Sequence, residues 1–143
     1  MSSISTSNKG FVAVCDEYLT IKRVIINHYP ELKLEPGESL ESYIIPDNLN
    51  KFFDFFNILQ EQSTFDWEIS VQLPSEIEVL SFCGIKDNNS YVILAFPASG
   101  QNEFIEELMG INNEQVNILR EHFQEKRHLA EQANNYFNDI TKI

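Results

Sequence analysis

The pattern of apolar and polar positions divides the chain at about residue 98, with strands around one helical crossover before it and helix beyond it. Phe11–Cys15 is a short apolar run, and Thr20–Asn27 is a second one carrying Ile21, Val24, Ile25 and Ile26. Asp16-Glu17-Tyr18-Leu19 joins them, the layout of a hairpin. Pro30 closes the second strand, because proline donates no ladder hydrogen bond and biases Tyr29 away from helix. Pro30, Pro36, Gly37 and Pro46 punctuate the next stretch, which reads as loops with short helical turns, one over Ser39–Tyr43. Pro46-Asp47-Asn48 then opens a helix in which Leu49, Phe52, Phe53, Phe56 and Leu59 recur at helical spacing. Lys51, Asp54 and Gln60 fall opposite that stripe.

Three further strands follow. Phe65, Trp67, Ile69, Val71 and Leu73 alternate with Asp66, Glu68, Ser70 and Gln72, the pattern of a strand covered on one face. Pro74-Ser75 turns the chain, and Ile77, Val79, Ser81 and Cys83 then alternate with Glu78, Leu80 and Phe82. Asp87-Asn88-Asn89-Ser90 supplies a second turn, since Asn and Asp tolerate left-handed backbone. Tyr91–Phe96 is an apolar strand ending at Pro97. The order predicts an α+β fold: two strands, a crossover over about 28–63, and a meander whose last strand returns beside the first.

Beyond residue 101 the period changes. Met109, Val116, Phe123, Ala130 and Phe137 recur every seven residues, as do Asn112, Leu119, Lys126, Ala133 and Ile140, with Asn112 and Lys126 the polar members. Taken as one helix, 102–141 would be about 60 Å long at 1.5 Å per residue, a length that suits a coiled coil. A break or kink at Gly110 is the competing expectation, because glycine weakens a helix by roughly 1 kcal/mol against alanine. The heptad phase still runs at Ile143 with no cap, which suits a chain continuing into another domain.

Charge and composition narrow the partners. The 143 residues hold 10 Lys plus Arg against 22 Asp plus Glu, a net charge of −12, and no basic arm, so nucleic acid and anionic membrane are not expected partners. The longest apolar run, Tyr91–Phe96, is too short to cross a bilayer, and MSSISTSNKG lacks the apolar core of a signal peptide. A cytoplasmic location is the default. Cys15 and Cys83 lie in apolar segments and are expected as buried free thiols, with a single disulfide between them the alternative. Neither a zinc site nor any other metal site is expected from them.

The Phe-rich helix 48–60, the Asp66-Trp67-Glu68-Ile69 strand and the segment Ile111-Asn112-Asn113-Glu114-Gln115-Val116-Asn117-Ile118-Leu119-Arg120, in this order, resemble a PAS domain followed by a signalling helix. Such domains stand at the N-terminus of bacterial sensor histidine kinases. The resemblance rests on architectural order over 11–141 rather than on a short motif. The Asp-Ile-Thr that ends the last strand in many PAS domains is absent, since this strand ends Ala95-Phe96-Pro97-Ala98, and Asp139-Ile140-Thr141 lies far from any strand. Flavin-binding members carry Asn-Cys-Arg in the helical region, and haem-binding members commonly use a His on the long helix. Residues 28–63 hold no Cys and 48–62 no His, so neither cofactor is implied.

Catalytic chemistry is not expected. The five glycines are isolated, no metal-protease, redox or nucleophile-elbow motif occurs, and no nucleophile stands with a base and an orienting group. His122 and His128 lack the surroundings of a phospho-accepting histidine and read as flanks of the helical seam. Phe52, Phe53, Phe56, Trp67 and Phe82 either fill the core or, as the resemblance implies, line a pocket for a small apolar or planar ligand, with His28 at its rim.

The expectation is therefore a PAS-like five-stranded antiparallel sheet over 10–98, with its helical crossover on one face, followed by a long coiled-coil helix over 102–141. A homodimer would form through Val116, Leu119, Phe123, Ala130, Ala133, Phe137 and Ile140. The function implied is non-catalytic sensory input to an output domain in the same chain, a histidine kinase by the resemblance. A ligand-free dimerisation module is the alternative.

Overall fold

The computed structural model describes residues 9–111 and 113–126. Five strands, β1 (Phe11–Cys15), β2 (Ile21–Asn27), β3 (Thr64–Gln72), β4 (Ile77–Asp87) and β5 (Ser90–Phe96), form one antiparallel sheet in the order β2-β1-β5-β4-β3. The last strand pairs beside the first, with Phe11 opposite Ala95 and Cys15 opposite Tyr91. In the β1–β2 turn, Asp16 Oδ1 accepts from the backbone amides of Tyr18 and Thr20, and Leu19 takes φ 65°. Asn88 takes φ 57° in the β4–β5 turn, the backbone that an Asn there was expected to accept.

Helix α1 (Leu49–Leu59) lies over the inner face and buries Phe52, Phe55, Phe56 and Leu59. Its stripe is rotated from the expected one: Phe55 is fully buried, whereas Phe53 is 36% exposed. Gly84 on β4 permits the close approach, because a Cβ there would lie 2.8 Å from Leu59 Cδ2 and 3.3 Å from Phe55 Cζ. Two short 3₁₀ turns, Leu40–Tyr43 and Pro46–Asn48, precede α1 and tie the crossover to the outer strand β3. Ile44 bridges Val71, the amide of Ile45 donates to the carbonyl of Ser70, and Asn48 Oδ1 accepts from the amide of Ser70 at 2.6 Å. Asn48 thus covers a free strand edge rather than bonding to the amides of its own helix.

The sheet is covered on both faces, not one. Val12, Val14, Ile26, Cys83, Ile85, Val92, Leu94 and Phe96 form a second apolar face. Helix α2 (Gln101–Met109) and a further helix, α3 over 114–126, pack on it through Phe104, Ile105, Leu108, Val116, Leu119 and Phe123. The single continuous helix expected from 102 onwards is therefore interrupted. Gly110 caps α2, Asn113 Oδ1 accepts from the amides of Gln115 and Val116 at the start of α3, and the Arg120 guanidinium donates to the carbonyl of Met109 at 3.1 Å. A glycine stop followed by an asparagine cap is a helix–turn–helix signal. Val116, Leu119 and Phe123, read as a dimer seam, are buried against the chain's own sheet, while Met109 is 39% exposed. Ala130, Ala133, Phe137 and Ile140 lie outside the described residues.

A bulge in β3 alters the face of one further residue. Thr64 stands opposite Gly84 and Trp67 opposite Phe82, so three steps along β3 match two along β4, and Asp66 takes φ 64°. Phe65 consequently joins the outer core while Trp67 packs into the inner one, although strict alternation would place them together.

Gly84→Ala is expected to destabilise by about 1–3 kcal/mol through overpacking beneath Leu59. Asn113→Ala is expected to cost about 1 kcal/mol by uncapping α3. Urea unfolding of each variant, at unchanged slope, checks both values.

Candidate functional site

The inner face beneath α1 is an aromatic cluster. Phe82 of β4 meets Phe52 and Phe55 edge-on with ring centroids 5.9 Å apart, and Phe11 at 6.0 Å. Phe52 stacks on Phe55 at 6.1 Å, Phe55 meets the Trp67 ring at 5.9 Å, and Phe56 meets Tyr91 at 4.9 Å. Edge-to-face packing of this kind adds about 0.5–1.5 kcal/mol per pair beyond burial. The Trp67 indole donates to Thr64 Oγ1 at 2.7 Å, which satisfies its polar end locally. Four of the residues expected to line a pocket, Phe52, Phe56, Trp67 and Phe82, are brought together here. Phe53 reaches only the edge of the cluster, 6.1 Å from Phe52.

Phe55 is the hub that the sequence reading missed. Its spacing from Phe52, Phe56 and Leu59 is as helical as the stripe chosen, and the deciding signal lies outside the helix, in Gly84 and Trp67.

His28 is not at the rim of this cluster. It packs on the outer side, its ring edge-on to Phe104 at 5.9 Å and its Nε2 2.7 Å from Glu107 Oε2 of α2. Its role is to hold α2 against the end of β2. His122 lies at a separate cleft of 380 Å³ beside α3, with Ser63, Phe65, Glu125 and Lys126.

Approach to the inner core is offered from the crossover. A cleft of 610 Å³ opens between residues 31–43 and the β3–β4 turn, with Leu32 and Leu73 at its floor and Glu31, Lys33 and Glu38 around it. Leu32 and Leu73 belong to the same buried cluster as the Phe rings, and Tyr43 packs against it. The Tyr43 hydroxyl donates to the carbonyl of Lys33 at 2.6 Å, and burial with the charges of Glu38 and Glu35 raises its pKa. Tyr29 is buried in the same inner core, and burial followed by the Glu78 carboxylate pushes its hydroxyl well above the ordinary range. Burial likewise raises Glu78. The surroundings are apolar with a few acidic groups at the margin, which suits an apolar or planar guest rather than an anionic one.

Cys15 and Cys83 are both free and buried, and they face opposite sides of the sheet, Cys15 in the inner core and Cys83 in the outer one. A disulfide between them is excluded by that placement. Burial pushes each thiol from the ordinary 9.0 up to about 12, so neither is a nucleophile at neutral pH.

This topology has counterparts among solved structures. The chain aligns with the Cronobacter turicensis RpfR quorum-sensing receptor PAS domain in complex with BDSF at TM-score 0.54 and 11% identity, covering 68% of this chain and 99% of that one. The chain has the PAS fold. Further PAS-fold comparisons include Drosophila melanogaster Cycle PAS-B with bound ethylene glycol, at TM-score 0.47 and 8% identity over 59% of this chain and 94% of that one. The chromophore-binding domain of the bacteriophytochrome RpBphP3 from R. palustris matches at TM-score 0.52 and 15% identity, over 70% of this chain and 34% of that one. No protein-family profile and no curated protein matches the sequence. Among the described residues no helix is long and apolar enough to cross a membrane.

Phe55→Ala is expected to cost about 3–5 kcal/mol, against about 1 kcal/mol or less for Phe53→Ala, and chemical denaturation separates the two. Both thiols should resist a maleimide at pH 8 in the folded protein and react once it is denatured. Because folding raises their pKa from 9.0 to about 12, the stability they contribute is complete below pH 9 and is lost as pH climbs toward 12.

Proposed function

We propose that this chain is a non-catalytic sensory input domain of a larger signalling protein, with a sensor histidine kinase as the output. One arrangement carries the reading. The strands that support the aromatic cluster on the inner face also support α2 and α3 on the outer face. Repacking beneath α1 therefore acts on the same backbone that seats the outgoing chain, and packed interfaces respond to such strain by switching between discrete arrangements.

The input is a small apolar or planar molecule admitted from the crossover cleft. The lining supports this class, and the RpfR domain of like topology, a quorum-sensing receptor in complex with BDSF, supports ligand input as such. Such a guest must part rings that stand 5.9–6.1 Å apart, so ligand input requires α1 to lift. That close ring packing also favours a second reading, a ligand-free module that only sets the spacing between subunits. Dimerisation of the parent protein belongs to the same proposal. It would use a surface other than the buried stripe of α3, which is already occupied by the chain's own sheet. A cytoplasmic location completes the reading.

Native mass spectrometry of the purified chain, set against its denatured mass, tests the input. The expected result is a reproducible extra mass that is retained natively and lost on denaturation. A bare chain mass in repeated preparations rejects ligand input in favour of the spacing module.

A further inference from the structure

One backbone position stands between the aromatic cluster and the outgoing helix. At the β3 bulge, Asp66 holds a left-handed φ of 64°, a conformation that costs most residues about 1–2 kcal/mol but that Asp tolerates better than most. On one side of it Trp67 packs against Phe55 of α1 and donates to Thr64 Oγ1 at 2.7 Å. On the other side Phe65 meets Phe123 of α3 edge-on, with ring centroids 5.2 Å apart. Lys126 completes the contact, its ammonium 5.1 Å above the Phe65 ring and 2.7 Å from Asp66 Oδ2. Thr64, Phe65, Asp66 and Trp67 thus touch both layers of the protein within four consecutive residues.

We propose that this bulge is the coupling element that transmits repacking of the inner aromatic cluster to the 123–126 end of α3. The proposal rests on the sensory reading above and gives it a route. A regular strand would put Phe65 and Trp67 on the same face, leaving this end of α3 without its aromatic partner. With the extra residue, rotation of the Trp67 ring pulls on the Thr64 hydroxyl and on the Asp66 backbone. Phe65 and the Asp66 carboxylate turn with that backbone, and the seat of Phe123 and Lys126 moves with them. Most of the holding strength lies in the ring pair. The ion pair is largely solvent-exposed, with side chains 36% and 54% accessible, and serves chiefly to fix orientation.

Hydrogen exchange of the full chain, resolved by segment, tests the coupling. Phe65→Ala should speed exchange over 114–126 about fivefold or more. Asp66→Asn, which keeps the tolerance for left-handed backbone, should speed it about twofold. In both variants β5 should remain unchanged. The decisive variant is Phe55→Leu, at a residue whose ring contacts are Phe52, Trp67 and Phe82 and not α3. It should speed exchange over 114–126 more than over α2, with Trp67→Phe as a second, milder probe of the same route. If Phe55→Leu and Trp67→Phe alter α1 and β3 while 114–126 keeps its protection, the coupling is overturned. An equal rise in every segment would equally overturn it, since that reports global loss of stability. The absence of a bound ligand in the mass measurement would not change these exchange results, so the two readings fail separately.

Discussion

A sheet that is apolar on both faces must be covered on both, and the architecture follows from that requirement. β1 is buried at all five positions, and β5 at every position from Tyr91 to Phe96. Neither strand could lie at a solvent boundary without exposing several large side chains to water, at roughly 25 cal/mol per Å² of apolar surface. α1 and the crossover meet the demand on the inner face, and α2 with α3 meet it on the outer face. The C-terminal segment is therefore part of the domain's core as far as residue 126, rather than a rod leaving a finished domain.

The two covers are attached in different ways. On the inner side, α1 descends onto Gly84 and locks through a ring network, while the preceding turns cap the β3 edge. On the outer side, α2 descends onto Gly10, where a Cβ would come within 2.8 Å of three atoms of the Phe104 ring. His28 with Glu107, and Asp66 with Lys126, add polar contacts near the margins. Attachment of the second kind, through short helices joined by a tight corner and held by partly exposed pairs, opens more readily than a continuous ring-packed core. The two layers therefore differ in how firmly they are held, the inner one by interlocked rings and the outer one by two short helices.

Local sequence determined a good deal. Apolar runs placed β1, β2 and β5, alternation placed β3 and β4, proline and Asx turns divided them, and helical spacing identified α1 with Phe52 and Phe56 on its buried face. The stop at Gly110 and the cap at Asn113 were also present as residue types, and the break between α2 and α3 was legible as the competing reading of that segment. The apolar runs in β1 and β5 carried the signal for a doubly covered sheet, because one-sided strands alternate and these do not.

Tertiary structure decided what each face meets, because a period specifies which residues share a face and not what covers it. A seven-residue apolar repeat serves a helix packed on its own sheet as well as it serves a helix packed on a second copy. Val116, Leu119 and Phe123 satisfied the pattern in the first way. The rotation of α1 that buries Phe55 and turns Phe53 outward depended on the gap at Gly84, a residue 29 positions away in sequence. His28 found Glu107 rather than the Phe cluster because β2 ends on the side where α2 lies. The bulge at Asp66 had no local signature within a cleanly alternating strand. It arises where one strand must present Trp67 to α1 and Phe65 to α3, a demand that exists only once both helices are in place.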